Sequence, residues 1–242
     1  MRICLVQSQS IKGDVKANMD LHLKCIKTAI KSKAELIVFP ELSLTNYEPK
    51  LANKMAFYPD DSMFTAFQQI ADEWNIVIGI GVPTFAELGI HISMLIFQSN
   101  KEVLLYTKGE LHEDEQSYFV KGNNQPFLEI KGMRIVLGIC FETLQRSHFL
   151  KAMGNKADLY IASVAKPEHG VKKAYTHFSA ISEEFGKPIL MANAVGNCDD
   201  FLSVGQSAVW DGSGKLLGKL DEESQGLLIY DVHSNKVERI LL

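Results

Sequence analysis

The sequence predicts an α/β protein in which helices cover sheets, and three observations carry that expectation. Short β-branched and aliphatic runs alternate with longer stretches of helical period along the chain. The helical stretches are separated by pairs of strands, which suggests two sheets facing each other with helices outside. No linker, repeat or low-complexity segment interrupts the order, so residues 1–242 read as a single domain. Periodicity alone leaves a single doubly wound sheet open as the alternative.

Each element has its own warrant. Residues 1–7 form an apolar strand. Over 16–33, Met19, Leu23, Ile26 and Ile30 fall on one helical stripe with lysines opposite. Residues 36–39 are a compact apolar strand that ends at Pro40, which has no N–H for a sheet ladder. Asp61 or Ser62 can cap a helix that buries Phe64, Phe67, Ile70, Ala71 and Trp74. Strands follow at 76–82, 92–98 and 103–107, then at 127–130 and 134–139 across a Lys131-Gly132-Met133 turn. A helix near 144–154 leads to a strand at 159–163, and a helix near 171–185 leads to a strand at 188–194. Runs at 208–210 and 215–218 flank Asp211-Gly212-Ser213-Gly214, a hairpin signal. The last clear strand is 226–232. The apolar tail from Val237 to Leu242 is expected to pack on its own domain or on a partner subunit.

Composition removes several function classes. With 242 residues, 46% of them hydrophobic, the chain can bury a core without a disulfide or a structural metal. A formal net charge of -4 with no long run of one sign argues against nucleic acid or an anionic membrane surface as a partner. No apolar run approaches the roughly 20 residues that span a bilayer. The first residues read as a strand rather than a signal-type segment. The four cysteines (Cys4, Cys25, Cys140 and Cys198) form no CxxC pair and fit free thiols in a reducing compartment, so the cytoplasm is the expected location. The histidines show no metal spacing. His112 stands beside Glu113, Asp114 and Glu115, but sequence neighbours rarely converge on one ion.

Three strands end in residues that can do chemistry: the first runs into Glu41, another into Lys108, a third into Cys140. Active sites of open α/β sheets assemble at the carboxyl ends of strands. A thiol is a strong nucleophile only as thiolate, and a neighbouring carboxylate such as Glu41 can take its proton during attack. Attack on an amide carbon creates an oxyanion, which the Lys108 ammonium and a backbone N–H after Cys140 can stabilise. The set needs no metal or organic cofactor. Taken singly, each residue has a plainer reading: an inert core thiol, a loop carboxylate, a surface lysine. Their joint placement carries the expectation. His148, eight positions past Cys140, lies more than two turns away if 144–154 is helical, which argues against a Cys–His pair. Asn193, near the end of the 188–194 strand, and Cys198, just beyond it, are candidates for shaping a pocket, Cys198 less so than Asn193.

At these residues the sequence resembles the nitrilase superfamily of carbon–nitrogen hydrolases. The block Leu36-Ile37-Val38-Phe39-Pro40-Glu41 resembles its first motif, which carries the general base. Lys108 to Gly122 resembles its second, and Gly138-Ile139-Cys140-Phe141-Glu142 its third, with the nucleophile. Residues 191–196 and the later Gly205-Gln206-Ser207 with its hairpin are similar to the closing part of the family. The resemblance spans essentially the whole chain with motifs in order. It implies a four-layer α-β-β-α sandwich, hydrolysis through a thioester, and assembly into homodimers or larger homo-oligomers. Carried over, Glu41 is the base, Lys108 the oxyanion-stabilising amine, Cys140 the nucleophile, and Glu115 a second glutamate that positions Lys108 or the substrate. Glu110, Glu113 and Asp114 crowd the same segment, but Tyr118-Phe119 and Gly122 follow Glu115 at the family's spacing. Phe141, Glu142 and Asn193 are the candidate substrate-binding residues. The segment from Phe141 to His148 departs from the family's common pattern, lacking its proline and displacing Arg146, so it does not transfer a specificity. A small amide is the expected substrate because amides predominate in the family. A nitrile or N-carbamoyl substrate, acyl transfer from the same thioester, and a non-enzymatic binding module are the alternatives.

Overall fold

The structure, a computed structural model, describes residues 1–154 and 156–242. In chain order it opens with β1 (Arg2–Gln7), α1 (Val15–Lys31), β2 (Leu36–Val38), α2 (Ala52–Met55), α3 (Thr65–Trp74), β3 (Val77–Ala86), β4 (Gly89–Phe97) and β5 (Leu104–Thr107). The second half brings β6 (Phe127–Ile130), β7 (Met133–Ile139), α4 (Arg146–Gly154), β8 (Leu159–Val164), α5 (Glu168–Phe185) and β9 (Ile189–Asn193). It closes with β10 (Val195–Cys198), β11 (Phe201–Val204), β12 (Ala208–Trp210), β13 (Leu216–Lys219), β14 (Gly226–Asp231) and β15 (Lys236–Leu241).

These strands make two large sheets. One has seven strands in the order β15-β14-β1-β2-β3-β4-β5, the other six in the order β13-β12-β9-β8-β7-β6, and β10-β11 is a small separate ribbon. In the first sheet β1, β2 and β3 are parallel, and in the second β7, β8 and β9 are parallel. Parallel strands covered on both faces read as continuous apolar runs, which is why 36–39 and 159–163 show no alternation.

The alternation is nevertheless present in space. Ile3 and Leu5 of β1 join Leu137, Ile139, Ile161 and Leu190 of the second sheet in one core between the sheets. Cys4 and Val6 point the other way, into a core with Ile26 of α1 and Phe67 of α3. On the far side, Tyr160 and Met191 pack with Phe149 of α4 and Phe178 of α5. The layers are therefore helix, sheet, sheet, helix. This is the expected four-layer sandwich, and the doubly wound alternative is excluded.

Three expectations need correction. Trp74 is 56% exposed, because α3 ends there with Asn75 in the left-handed region (φ 49°) and the ring lies beyond the packed face of Phe67 and Ala71. The stripe of α1 buried most deeply is Asn18, His22, Cys25, Ile26 and Ala29, with Met19, Leu23 and Ile30 on its flanks. A further strand follows 226–232: the tail forms β15, antiparallel to β14, with Lys236, Glu238 and Arg239 marking it as a sheet edge.

Candidate active site

Four strand ends meet where the two sheets approach. Two belong to the first sheet and deliver Glu41 and Lys108. Two belong to the second and deliver Cys140 and Lys166.

Glu41 sits on the loop after β2, with its side chain fully buried. The polar residues of α1 fasten this loop. Asn18 Nδ2 donates to Leu44 O (2.9 Å), and His22 pairs Nε2 with Ser43 Oγ (2.9 Å) while stacking on Phe39. Gly81 of β3 lets the loop lie against the sheet. A Cβ there would come within 2.4 Å of Pro40 O and 2.5 Å of Leu42 N.

Lys108 follows β5 and is also fully buried. Its Nζ lies 2.7 Å from Glu41 Oε1 and 2.6 Å from Glu115 Oε1. Glu115 is held in turn. Its Oε1 accepts from Tyr47 OH (2.9 Å) and its Oε2 from His112 N–H (2.8 Å). Among the acidic residues of this segment Glu115 alone is buried against Lys108. Glu113 and Asp114 are exposed, and Glu110 accepts from Ser147 Oγ.

Cys140 stands where β7 gives way to a 3₁₀ turn over Cys140–Leu144, at φ 47°, a conformation that L side chains seldom adopt. Its Sγ lies 3.7 Å from Ala165 O and 3.6 Å from Lys166 Nζ. Gly138 permits the turn, since a Cβ there would meet Tyr160 Oη at 2.0 Å. With Phe141, Tyr47, Glu115, Lys166 and Phe201, Cys140 lines a cavity of about 360 Å³.

Burial sets the proton inventory. It pushes Glu41 up to about 6, against the pull of the Lys108 ammonium and with a further push from Glu115. Burial also raises Cys140, to about 11, helped by the Glu41 charge and opposed by Lys166 and Lys108. Burial works against the Lys108 ammonium, but the two carboxylates outweigh it and hold lysine charged well above its usual range. At neutral pH the thiol thus keeps its proton while Glu41 is an ionised acceptor whose Oε2, bonded to no other group, is left to the Cys140 thiol. Such an arrangement suits proton transfer during attack rather than a preformed thiolate.

The structure brings Glu41, Lys108, Glu115, Cys140 and Phe141 together and sets two other candidates apart. Glu142 is buried off the cavity. Its carboxylate accepts from the N–H groups of Gly109 (2.8 Å) and Ile139 (2.8 Å) and from Tyr106 OH. It thereby ties the loop after Lys108 to the strand before Cys140. Asn193 accepts from Lys166 N–H (2.9 Å) and donates to Gly205 O (2.6 Å), which leaves its amide committed to backbone. His148 is engaged with Tyr106, Tyr160 and Gln125, and Cys198 is buried with Sγ 3.7 Å from Asn46 Oδ1. Lys166 and Tyr47 were not foreseen. Lys166 obeys the same strand-end rule as the others, two residues past β8. Tyr47 lies in an irregular loop, with no signal in the sequence. Among the described residues no group of three or more His, Cys, Asp or Glu could hold a metal ion, and no helix is long and apolar enough to cross a membrane.

Comparison with known proteins adds the family context. A family model described as carbon–nitrogen hydrolase matches residues 2–240. The glutamine-dependent NAD(+) synthetase of Aquifex aeolicus is 26% identical over all of this chain, which spans 44% of that protein's length. An (R)-stereoselective amidase from Pseudomonas sp. is 26% identical, over 90% of this chain and 80% of its own. Among solved structures, the amidase from Neterenkonia sp. AN1 superposes with a TM-score of 0.87 at 25% identity, covering 96% of this chain and 92% of its own. A cysteine-to-alanine mutant of the Nesterenkonia sp. AN1 amidase has been solved with butyramide, at a TM-score of 0.87, 24% identity and coverage of 97% of this chain and 92% of its own.

Proposed function

From the premise that this chain belongs to the carbon–nitrogen hydrolase family of the nitrilase superfamily, we propose that it hydrolyses a small non-peptide amide through a thioester on Cys140. The observation that carries this reading is the buried Glu41–Lys108–Glu115 cluster, of which Glu115 lines the same cavity as Cys140 and Glu41 meets the Cys140 thiol. Glu41 takes the thiol proton as Sγ attacks the amide carbon, and Lys108 stabilises the oxyanion. Collapse breaks the C–N bond, and the proton on Glu41 passes to the departing ammonia or amine. Glu41 then takes a proton from water, whose oxygen attacks the thioester; the C–S bond breaks to release a carboxylic acid, and Glu41 returns the proton to the sulfur, which restores the thiol. Glu115 holds Lys108 in place, and Phe141 is the candidate substrate contact. No metal or cofactor takes part in this scheme.

The amide class is supported by the amidase relative and by the butyramide bound to the mutant amidase. The glutamine-dependent synthetase relatives favour a second reading, release of ammonia from a glutamine-like side-chain amide. Ammonia release from a panel of short aliphatic amides, ω-amides, nitriles and N-carbamoyl amino acids separates these. Turnover of amides alone is the expected result, and turnover of nitriles alone contradicts it. Acyl transfer would show as an amide product when a free amine is added. A cytoplasmic location, a single domain and homodimeric assembly belong to the same reading. Light scattering on the purified chain tests the last.

A further inference from the structure

We propose that Lys166 is the charge partner of the Cys140 thiolate, a second cation that makes the sulfur ionisable during attack. The inference rests on Cys140 acting as the nucleophile. Its Nζ is 3.6 Å from Sγ, and the side chain is 4% exposed. The backbone of Lys166 is locked on several sides. Its N–H donates to Asn193 Oδ1 (2.9 Å) and Ser203 Oγ (3.2 Å), and its carbonyl accepts from Ser203 Oγ (3.1 Å) and Val204 N–H (3.2 Å). The stem is confined by Gly170, where a Cβ would meet Lys166 Cβ at 3.3 Å. A long flexible side chain is thus aimed at the sulfur by its anchor.

Charge counting shows why Lys108 is insufficient. Lys108 carries one positive charge between two carboxylates, Glu41 and Glu115, so that cluster is net negative when both are ionised. When Glu41 takes the thiol proton the negative charge moves to the sulfur, and with Glu115 still ionised Lys108 alone leaves one negative charge unbalanced in a buried site. Lys166 has no carboxylate within ion-pair distance among the described residues, and its charge is therefore available to the sulfur. With Lys166 present, one proton shared between Glu41 and Cys140 leaves the site neutral overall, whichever group holds it. Lys166 also opposes the burial that raises the thiol.

Other titratable groups face this pair. Tyr47, His112 and Asp114 line the cavity on one side, His169, Lys173 and Asp200 on the other, and His177 of α5 feels the Lys166 charge. All remain in place when Lys166 alone is replaced, so a difference between variants reports Lys166.

The test is the pH dependence of Cys140 alkylation by iodoacetamide, a neutral reagent, in the absence of substrate. An opposite charge at this range shifts a titration by about one to three units. Lys166→Met should move the alkylation midpoint up by at least about one unit and slow alkylation at pH 7 about tenfold, whereas Lys166→Arg should stay close to wild type. Identical profiles for wild type and Lys166→Met would overturn the proposal. So would a change confined to the KM of anionic amides, which would make Lys166 a substrate anchor instead. Should Lys166→Met not fold, Lys166→Gln carries the same test: its alkylation midpoint should also move up, and a profile that superposes on wild type would contradict the pairing. Failure of the nucleophile reading itself is distinct, since it would appear as hydrolysis by Cys140→Ala.

Discussion

Glu41 and Cys140 are a carboxylate and a thiol in one buried site, and the proposed chemistry turns on the proton between them. Burial lifts Glu41 to about 6 and Cys140 to about 11. Glu41 must be ionised to accept the thiol proton, so kcat/KM should rise with pH through a midpoint near 6. Glu41→Gln should abolish that limb together with most of the activity, and a profile flat from pH 5 to 8 contradicts the role of Glu41. In the proposed mechanism Glu115 acts one step back, through Lys108. Its Oε1 takes both the lysine and Tyr47, so Glu115→Gln leaves a neutral partner for the ammonium and should lower kcat with little change in KM. Steady-state kinetics on the folded variant read that split. A change in KM alone would place Glu115 on the substrate instead.

At the scale of elements, the site depends on loops pinned by residues that never reach the cavity. Glu142 links the loop after β5 to the end of β7 through Gly109, Ile139 and Tyr106. Glu142→Ala would strand buried N–H groups at about 1–3 kcal/mol each, so the thermal midpoint should fall along with activity. An unchanged melt would mean water replaces the carboxylate. Gly138→Ala should be destabilising by roughly 1–3 kcal/mol, because the added Cβ meets Tyr160 Oη, and chemical denaturation measures it. The strands behind these loops were legible because apolar runs ending in Glu41, Lys108 and Cys140 mark sheet edges directly. Glu142 and Asn193 were legible as neighbours of the site but not in their direction. A residue beside the nucleophile can face the cavity or the backbone, and the 3₁₀ turn at Cys140 decides that. The edge strand β15 mixes charged with apolar residues, so its tail showed that it would pack but not that it would pair, and the ribbon β10–β11 was hidden by its four-residue strands.

For the whole molecule, the two sheets contribute opposite halves of one site. Glu41 and Lys108 come from the first sheet, Cys140 and Lys166 from the second, and the core of Ile3, Leu5, Leu137 and Ile161 sets their separation. Ser163 Oγ donates to Phe39 O (2.8 Å) across that gap, next to both loops. A void between the sheets should therefore reach the chemistry as well as the stability. Ile161→Ala is expected to cost roughly 2–5 kcal/mol and to reduce kcat at temperatures well below its melt. Full kcat in a destabilised variant would mean the loops hold the site without the core. The layered arrangement was foreseeable from pairs of strands between helices, but which sheet each strand joins was not. Strand order depends on pairings such as β1 with β14, more than two hundred residues apart.

In the proposed mechanism, a thioester on Cys140 is the feature that distinguishes this chemistry from any other use of the cavity. An amide that the protein turns over, mixed with it and quenched in acid within the first turnover, should leave the acyl group on the peptide containing Cys140 by mass spectrometry. Hydroxylamine should remove it, and Cys140→Ala, still folded, should lose activity by roughly 10⁴-fold or more. An unmodified Cys140 during turnover, together with full hydrolysis by Cys140→Ala, would contradict the mechanism.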